Sequence, residues 1–309
     1  MTERRVALKV DCDTLEGTRE GIPRLLEILA ARGIRATFYF TLGPDRSGVA
    51  VRRVFTRKGF LSKMIRSGAP SLYGWKTALY GTVLKAPMIG ARCEGELRAA
   101  AKAGHETGVH GWDHVGWHDG LDRMSRLDVV RDYGAAHAEY LRILGVPARS
   151  SAAPGWTVSA RSLEVQEERA LLHTSDTRGG TPFFPRAGDR TFRTLEIPTT
   201  LPTLDETLAW RELSSKDEAQ RAFFRGAVRG TEVHTIHAEV EGRSKAALFS
   251  GILDDWKADG VAFVTLSGLA REALGRRDRI PVREIARVRL PGRGGEVSTG
   301  WPEAEVRRA

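Results

Sequence analysis

Two histidines four residues apart, in His110-Gly111-Trp112-Asp113-His114, are the side chains here best placed to do chemistry together. Where a backbone turns helically, positions i and i+4 share a face, so both imidazoles can reach one cation. Two neutral imidazoles leave a divalent ion short of ligands and charge, and a carboxylate is the usual third ligand. The best candidate is Asp13, far upstream in Val10-Asp11-Cys12-Asp13-Thr14. Asp13, His110 and His114 would hold Zn²⁺ or a similar divalent ion with one position open to water. Such an ion lowers the pKa of its water from 15.7 to roughly 7 and polarises a carbonyl. Each stretch alone has a plainer explanation. An HxxxH pair can arise by chance, and Gly111 stands where the zincin motif needs its glutamate. Asp11 and Asp13 could equally cap the following helix or turn.

The elements that must bring these residues together are legible as alternating strands and helices. Arg5 to Asp11 is mostly apolar, as suits a strand buried in a parallel sheet, and period two puts Asp11 and Asp13 on one side of it. A helix follows, with Thr18 as N-cap, Ile22, Leu25, Leu26 and Leu29 as its apolar face, and Gly33 beyond its end. Ile34 to Thr41 closes a βαβ unit. Further strands are expected at Glu106 to His110, Ala148 to Ala153, Leu171 to Asp176, Thr194 to Pro198, Glu232 to His237 and Val261 to Leu266. A long helix begins at Ser125, with Asp128 three residues on, and ends at Gly145; Leu127, Val130, His137, Leu141 and Leu144 read as its buried face. Functional residue types fall at the ends of many different strands, which favours a parallel α/β barrel over an open doubly wound sheet. No Gly-rich phosphate loop follows the first strand.

Composition narrows the function classes. At 309 residues, 41% hydrophobic and 28% charged, the chain is an ordinary globular protein able to bury a large core. Its two cysteines exclude a disulfide framework and a Cys-based zinc site. Acids flank Cys12, and their charge would raise its thiol pKa, arguing against a nucleophile. The N-terminus carries no apolar signal segment, and no apolar run is long enough to span a membrane. The formal charge of +9 is regional, with ten Lys/Arg and no acid from Arg46 to Arg92. Aromatics interleave with these charges, so Arg52, Arg53, Lys58, Lys63, Trp75 and Tyr80 suit an anionic membrane interface. Single-stranded nucleic acid and simple packing on the main domain are the alternatives. From Gly275 the chain is rich in Arg, Gly and Pro, and residues 275–309 are expected to be a poorly ordered tail.

His237 ends an apolar strand and reads either as a core histidine or as a catalytic one, and His234 could be the functional member of the two. Asp176 either orients a histidine or caps a loop. His105, His118, His137 and His173 read as structural.

Together these stretches resemble the NodB-homology class of polysaccharide deacetylases, metal-dependent amidases on a distorted (β/α)7-type barrel. Within that class the chain looks most like the 4-deoxy-4-formamido-L-arabinose-phosphoundecaprenol deformylases of lipid A modification. The resemblance spans about Arg5 to Leu269. It rests on Val10-Asp11-Cys12-Asp13-Thr14 with Gly17-Thr18-Arg19-Glu20-Gly21, on Ser71-Leu72-Tyr73-Gly74-Trp75, and on His110-Gly111-Trp112-Asp113-His114. It continues through Ser151-Ala152-Ala153-Pro154-Gly155-Trp156, Ser175-Asp176-Thr177-Arg178-Gly179, Ile197-Pro198-Thr199-Thr200-Leu201-Pro202-Thr203 and Thr235-Ile236-His237-Ala238-Glu239-Val240-Glu241-Gly242.

The resemblance implies Asp11 as general base, Asp13, His110 and His114 as metal ligands, His237 as general acid, and Asp176 as the acid that tunes it. Backbone N–H groups near Gly155 and Trp156 would hold the oxyanion. It implies residues 1–274 as the catalytic domain, with the basic region, about 44–93, as a membrane-facing insertion. The implied substrate is a formamido sugar on undecaprenyl phosphate, met at the cytoplasmic face of the inner membrane, with no nucleic-acid partner. Another amidase of the class acting on a soluble N-acyl sugar, and a non-catalytic binding module, are the competing functions. The chain departs from the class in two places. One residue separates its two acids, and Ala152 stands two residues before Pro154, where the class offers an arginine near the base. Arg178 is the stand-in considered for that arginine.

Overall fold

The computed structural model describes residues 3–50, 79–214 and 216–301. Arg52, Arg53, Lys58, Lys63 and Trp75, proposed for the membrane interface, lie outside the described residues.

The strands, in chain order, are β1 (Arg5–Cys12), β2 (Thr37–Phe40), β3 (Glu106–Val109), β4 (Ser150–Ser151), β5 (His173–Thr174), β6 (Phe184–Ala187), β7 (Arg190–Thr191), β8 (Leu195–Glu196), β9 (Thr231–His237), β10 (Ala262–Val264), β11 (Val282–Glu284), β12 (Ala286–Val288) and β13 (Val297–Thr299). Parallel pairing runs β9-β1-β2-β3-β4-β5-β8, and β10 lies beside the first residues of β1, before β2 begins. The N–H groups of Thr200 and Leu201, just past β8, bond to the carbonyl of Val233 in β9 at 3.0 and 3.1 Å. That brings the last strand of the path back to the first, as the expected barrel requires.

Period two along β1 sets everything else. Val6, Leu8, Val10 and Cys12 are fully buried in the large core beneath the surrounding helices, whereas Ala7 faces the barrel interior with Tyr39, Ala152, Leu195, Val233 and Leu266. Lys9 and Asp11 share the side of Ala7, so two charged groups point into the barrel. The same alternation in β9 puts Val233, Thr235 and His237 inward. It turns His234 outward against Phe224 and Trp256, with ring centroids 4.9 and 5.6 Å away. Burial there lowers the His234 pKa to about 3, so it is a neutral core residue.

Several local expectations hold. Ser125 and Asp128 form a capping box on the helix Arg126–Leu144, and Gly145 closes it in the left-handed conformation. Its buried face differs: Val129, Tyr133, Ala136, Tyr140 and Ile143 point inward, while Leu127 and Leu141 are 55% and 47% exposed. Small and aromatic residues fit that interface, and counting only aliphatics misplaced the stripe. Thr18 is not an N-cap, because the helix has already begun at Gly17 and the Thr18 hydroxyl donates back to the carbonyl of Thr14 at 2.7 Å.

The segment from Gly275 to Trp301 is not a loose tail. β11 runs parallel to β6, and β12 and β13 form a hairpin whose Val288 and Val297 pack on Trp156. Ser298 and Thr299 are fully buried. Ser298 accepts the N–H of Arg178 on its carbonyl at 2.9 Å and that of Val158 on its hydroxyl at 3.0 Å. The Gly and Pro content marks turns here, and the short apolar alternation between them is enough to seat the hairpin.

Candidate active site

The two histidines of the HxxxH stretch reach each other without sharing a helix. His110 follows the last residue of β3, Gly111 reverses the chain at φ 98°, and Asp113 caps the helix His114–Gly120 by accepting the N–H of Gly116 at 2.9 Å. Asp132 braces the turn by accepting the N–H groups of Trp112 and Asp113, both at 3.2 Å. The two imidazole centroids end 5.3 Å apart. Asp13, one residue past β1, stands between them: its Oδ1 lies 3.2 Å from His110 Nε2 and its Oδ2 3.4 Å from His114 Nε2. One ligand atom from each of the three residues lies within 4.8 Å of the others.

These residues fit a divalent ion on chemical grounds. His110 Nδ1 lies 2.9 Å from the carbonyl of Ala152, which holds a proton on Nδ1 and leaves Nε2, facing the Asp13 carboxylate, as the ligand atom. Two acceptors facing at that distance are repulsive unless a cation joins them. Asp13 Oδ1 is buried with no hydrogen-bond donor. Burial lowers the His114 pKa, against the pull of Asp13, which favours the neutral ligand form.

Asp11 is buried, and its Oδ2 lies 4.0 Å from His110 Nε2 and 3.1 Å from Lys9 Nζ. The cation beside Asp11 is therefore Lys9 from the same strand, not Arg178. Arg178 is occupied elsewhere, donating from Nη1 to both oxygens of Glu206 at 2.8 and 3.0 Å. Lys9 is fully buried, and its ammonium lies 5.1 Å from the Trp156 ring centroid and 5.9 Å from that of Tyr39. Lys9→Met should lower kcat by about tenfold or more and destabilise the fold by about 3–5 kcal/mol, because it leaves a buried carboxylate without its partner. Lys9→Arg should recover most of the lost rate, as judged by steady-state kinetics and urea denaturation.

His237 ends β9 in register with Asp11 on β1. Its Nδ1 pairs with Asp205 Oδ1 at 3.4 Å, and its ring meets Trp156 edge-on with centroids 6.2 Å apart. Burial alone would lower its pKa, but Asp205, with Asp13 and Glu241, overcomes that and raises it well above the usual imidazole value. The acid paired with His237 is thus Asp205 at the start of the helix Leu204–Leu208, and not Asp176. Asp176 is fully buried and accepts from Gln166, and burial, with Glu196 nearby, pushes its carboxyl well up. A carboxyl held neutral cannot keep a histidine charged.

Pro154-Gly155-Trp156 forms a tight turn with positive φ at both Gly155 (62°) and Trp156 (52°). The N–H of Trp156 bonds to the carbonyl of Ala153 at 3.2 Å, so it is not available to an oxyanion. The Trp156 ring instead walls the site.

Two further residues escaped sequence reasoning. Glu239 Oε1 accepts the N–H groups of Asp13 and Thr14 at 2.9 and 2.7 Å and the Thr14 hydroxyl at 2.9 Å, fixing the loop that carries Asp13. Glu241 accepts the N–H of His237 at 2.9 Å. Both belong to the Thr235–Gly242 stretch that carries the resemblance, which implies no role for either, and both are fully buried. For Lys9 there was a signal, a lone lysine inside the run Val6-Ala7-Leu8-Lys9-Val10, since an unpaired lysine is seldom fully buried. Nothing in the sequence around Asp205 singles it out.

Residues 1–171 match the polysaccharide deacetylase family. A Shewanella sediminis protein named probable 4-deoxy-4-formamido-L-arabinose-phosphoundecaprenol deformylase is 36% identical over 301 residues, covering 95% of this chain and 94% of its own. A protein of the same name from Wigglesworthia glossinidia brevipalpis is 32% identical over 283 residues, covering 91% of this chain and 97% of its own. In fold, the chain is similar to a crystal structure described as a polysaccharide deacetylase from Mycobacterium smegmatis, with a TM-score of 0.63 at 18% identity over 94% of this chain and 96% of that one. The chain belongs to the polysaccharide deacetylase family.

Proposed function

We propose that this protein hydrolyses the N-formyl amide of 4-deoxy-4-formamido-L-arabinose carried on undecaprenyl phosphate, releasing formate and the free amine. The observation that carries the chemistry is the register of Asp11 with His237 on neighbouring strands, beside the Asp13, His110 and His114 cluster. A carboxyl group and an imidazole thus flank the same small volume. The substrate is supported by the names of relatives that align with nearly the whole chain.

A divalent ion held by Asp13, His110 and His114 would supply Lewis acidity to a water molecule and to the amide oxygen. Asp11, held by Lys9, takes the proton from water as its oxygen bonds to the formyl carbon. His237, kept protonated by Asp205, gives its Nε2 proton to the departing nitrogen as the C–N bond breaks. Trp156 excludes water from one side of the pair.

In this reading the substrate is met at an anionic membrane surface. Among the described residues no helix is long and apolar enough to cross a membrane. The turn after Tyr80 exposes Val83 (78%) and Leu84 (40%) beside Lys85, as suits shallow insertion among anionic headgroups. Such binding weakens as salt rises.

The test is to offer the purified protein formamido- and acetamido-arabinose on undecaprenyl phosphate, with and without a chelator. Formate from the first substrate alone, abolished by chelation and restored by added divalent ion, is the expected result. Equal release of acetate, or activity indifferent to the chelator, would refute the reading.

A further inference from the structure

The hairpin formed by β12 and β13 carries a cation to the rim of this site. Its turn, Leu290-Pro291-Gly292-Arg293, is seated firmly. Arg293 N–H bonds to the carbonyl of Leu290 at 3.2 Å, and Trp210 Nε1 donates to the carbonyl of Pro291 at 3.2 Å. Gly292 has φ 82°, and a Cβ there would fall 2.4 Å from the carbonyl oxygen of Glu206. No other residue fits that turn without moving it.

The turn lays the Arg293 guanidinium over the Trp156 ring, 4.4 Å from its centroid, and the opposite demand on that ring is the edge contact with His237. Arg293 is only 15% exposed. Its nearest acid among the described residues is Glu206, with Nη1 3.6 Å from Oε1, but Arg178 already binds both oxygens of that carboxylate. Asp205, the other acid nearby, is paired with His237. Among the described residues, two guanidiniums therefore share one carboxylate, and a largely buried positive charge is left over beside His237. Such a charge is costly to leave without an anion, and a planar guanidinium stacked on an aromatic ring presents its fork of donors edgewise.

We propose that Arg293 is the phosphate-recognising residue of this site, gripping the phosphate that joins the sugar to its lipid while the amide lies between Asp11 and His237. The inference rests on the substrate proposed above. It explains why the site takes a wall from the C-terminal hairpin as well as from the barrel. A sugar lacking the phosphate loses this contact, so Arg293 selects substrates by charge.

The experiment compares two substrates, formamido-arabinose linked through phosphate to a short prenyl chain and the methyl glycoside of the same sugar, on wild type, Arg293→Gln and Arg293→Lys. The ratio of kcat/KM with phosphate to that without should fall about tenfold or more in Arg293→Gln, the scale of a charge-assisted bidentate contact. Arg293→Lys should fall between, since it keeps charge but not the fork. Calorimetry with neryl phosphate, which needs no turnover, should show binding to wild type weakened about tenfold or more in Arg293→Gln. An unchanged ratio with unchanged neryl phosphate binding overturns the proposal. So does an equal loss on both substrates with a lowered melting temperature, which makes Arg293 a packing residue. Wild type that binds neryl phosphate through Arg293 but hydrolyses neither substrate would instead sink the deformylase reading and leave the anion site standing.

Discussion

Changing His114 to alanine is expected to strip the protein of its divalent ion and to lower kcat/KM about a thousandfold or more, while leaving the fold intact. His114 is the most exposed of the three ligands, at 23% of its side chain against 2% for His110 and 19% for Asp13. It stands in the first turn of a helix whose cap, Asp113 on Gly116, does not involve its ring. Removing it therefore opens no large cavity, and the metal-free forms of the two proteins should differ in stability by about 1 kcal/mol or less. The catalytic cost is large because two ligands with one carboxylate do not hold a catalytic ion, and the ion's contribution is several kcal/mol, each 1.36 of which is tenfold in rate. Metal content by mass spectrometry, thermal melting and formate release decide the matter together. A His114→Ala protein that keeps its metal and its rate would dismantle the site as described.

His237→Ala should behave differently, retaining metal but losing about 10²–10⁴-fold in kcat, the usual contribution of a positioned acid. The pH profile sharpens the argument. Asp205 raises the His237 pKa well above its ordinary value despite burial, so the protonated acid persists through neutral pH. Activity that needs this proton is then full below that raised pKa and lost as pH rises through it. In Asp205→Asn the burial effect is no longer opposed by its first partner, and the alkaline limb of kcat should move to lower pH. The Asp176→Asn profile should keep its alkaline limb in place, because Asp176 is engaged with Gln166 and is already held uncharged. An alkaline limb that moves in Asp176→Asn and stays fixed in Asp205→Asn would return the tuning role to Asp176.

Residues whose roles depend on strand position were the legible ones. Asp11, Asp13, His110 and His237 stand at strand ends, and periodicity together with family motifs located them before any coordinates. Roles set by contacts across the barrel were not legible. Asp176 lies in the loop after β5 and Asp205 opens the helix after β8, and only the closure of the barrel between β8 and β9 decides which one meets His237. Lys9 was hidden by the expectation of an arginine elsewhere, although its place on the inward side of β1 follows from the same alternation that placed Asp11. The helix linking His110 and His114 was inferred from spacing, but Gly111 takes the chain through a left-handed turn and the two rings meet by another route. The final hairpin was misread because its composition resembles a linker, while its few apolar side chains are enough to cover Trp156.

That hairpin has a consequence for the order of events in synthesis. Every barrel strand through β10 leaves the ribosome before Ser298 and Thr299 do, so the sheet can wind up while Trp156 and Arg178 still lack their cover. A nascent chain can in that way own its metal ligands and yet present an open, wet cleft. The wall around Trp156 is finished only when the β12–β13 hairpin, made after the barrel strands, docks against it.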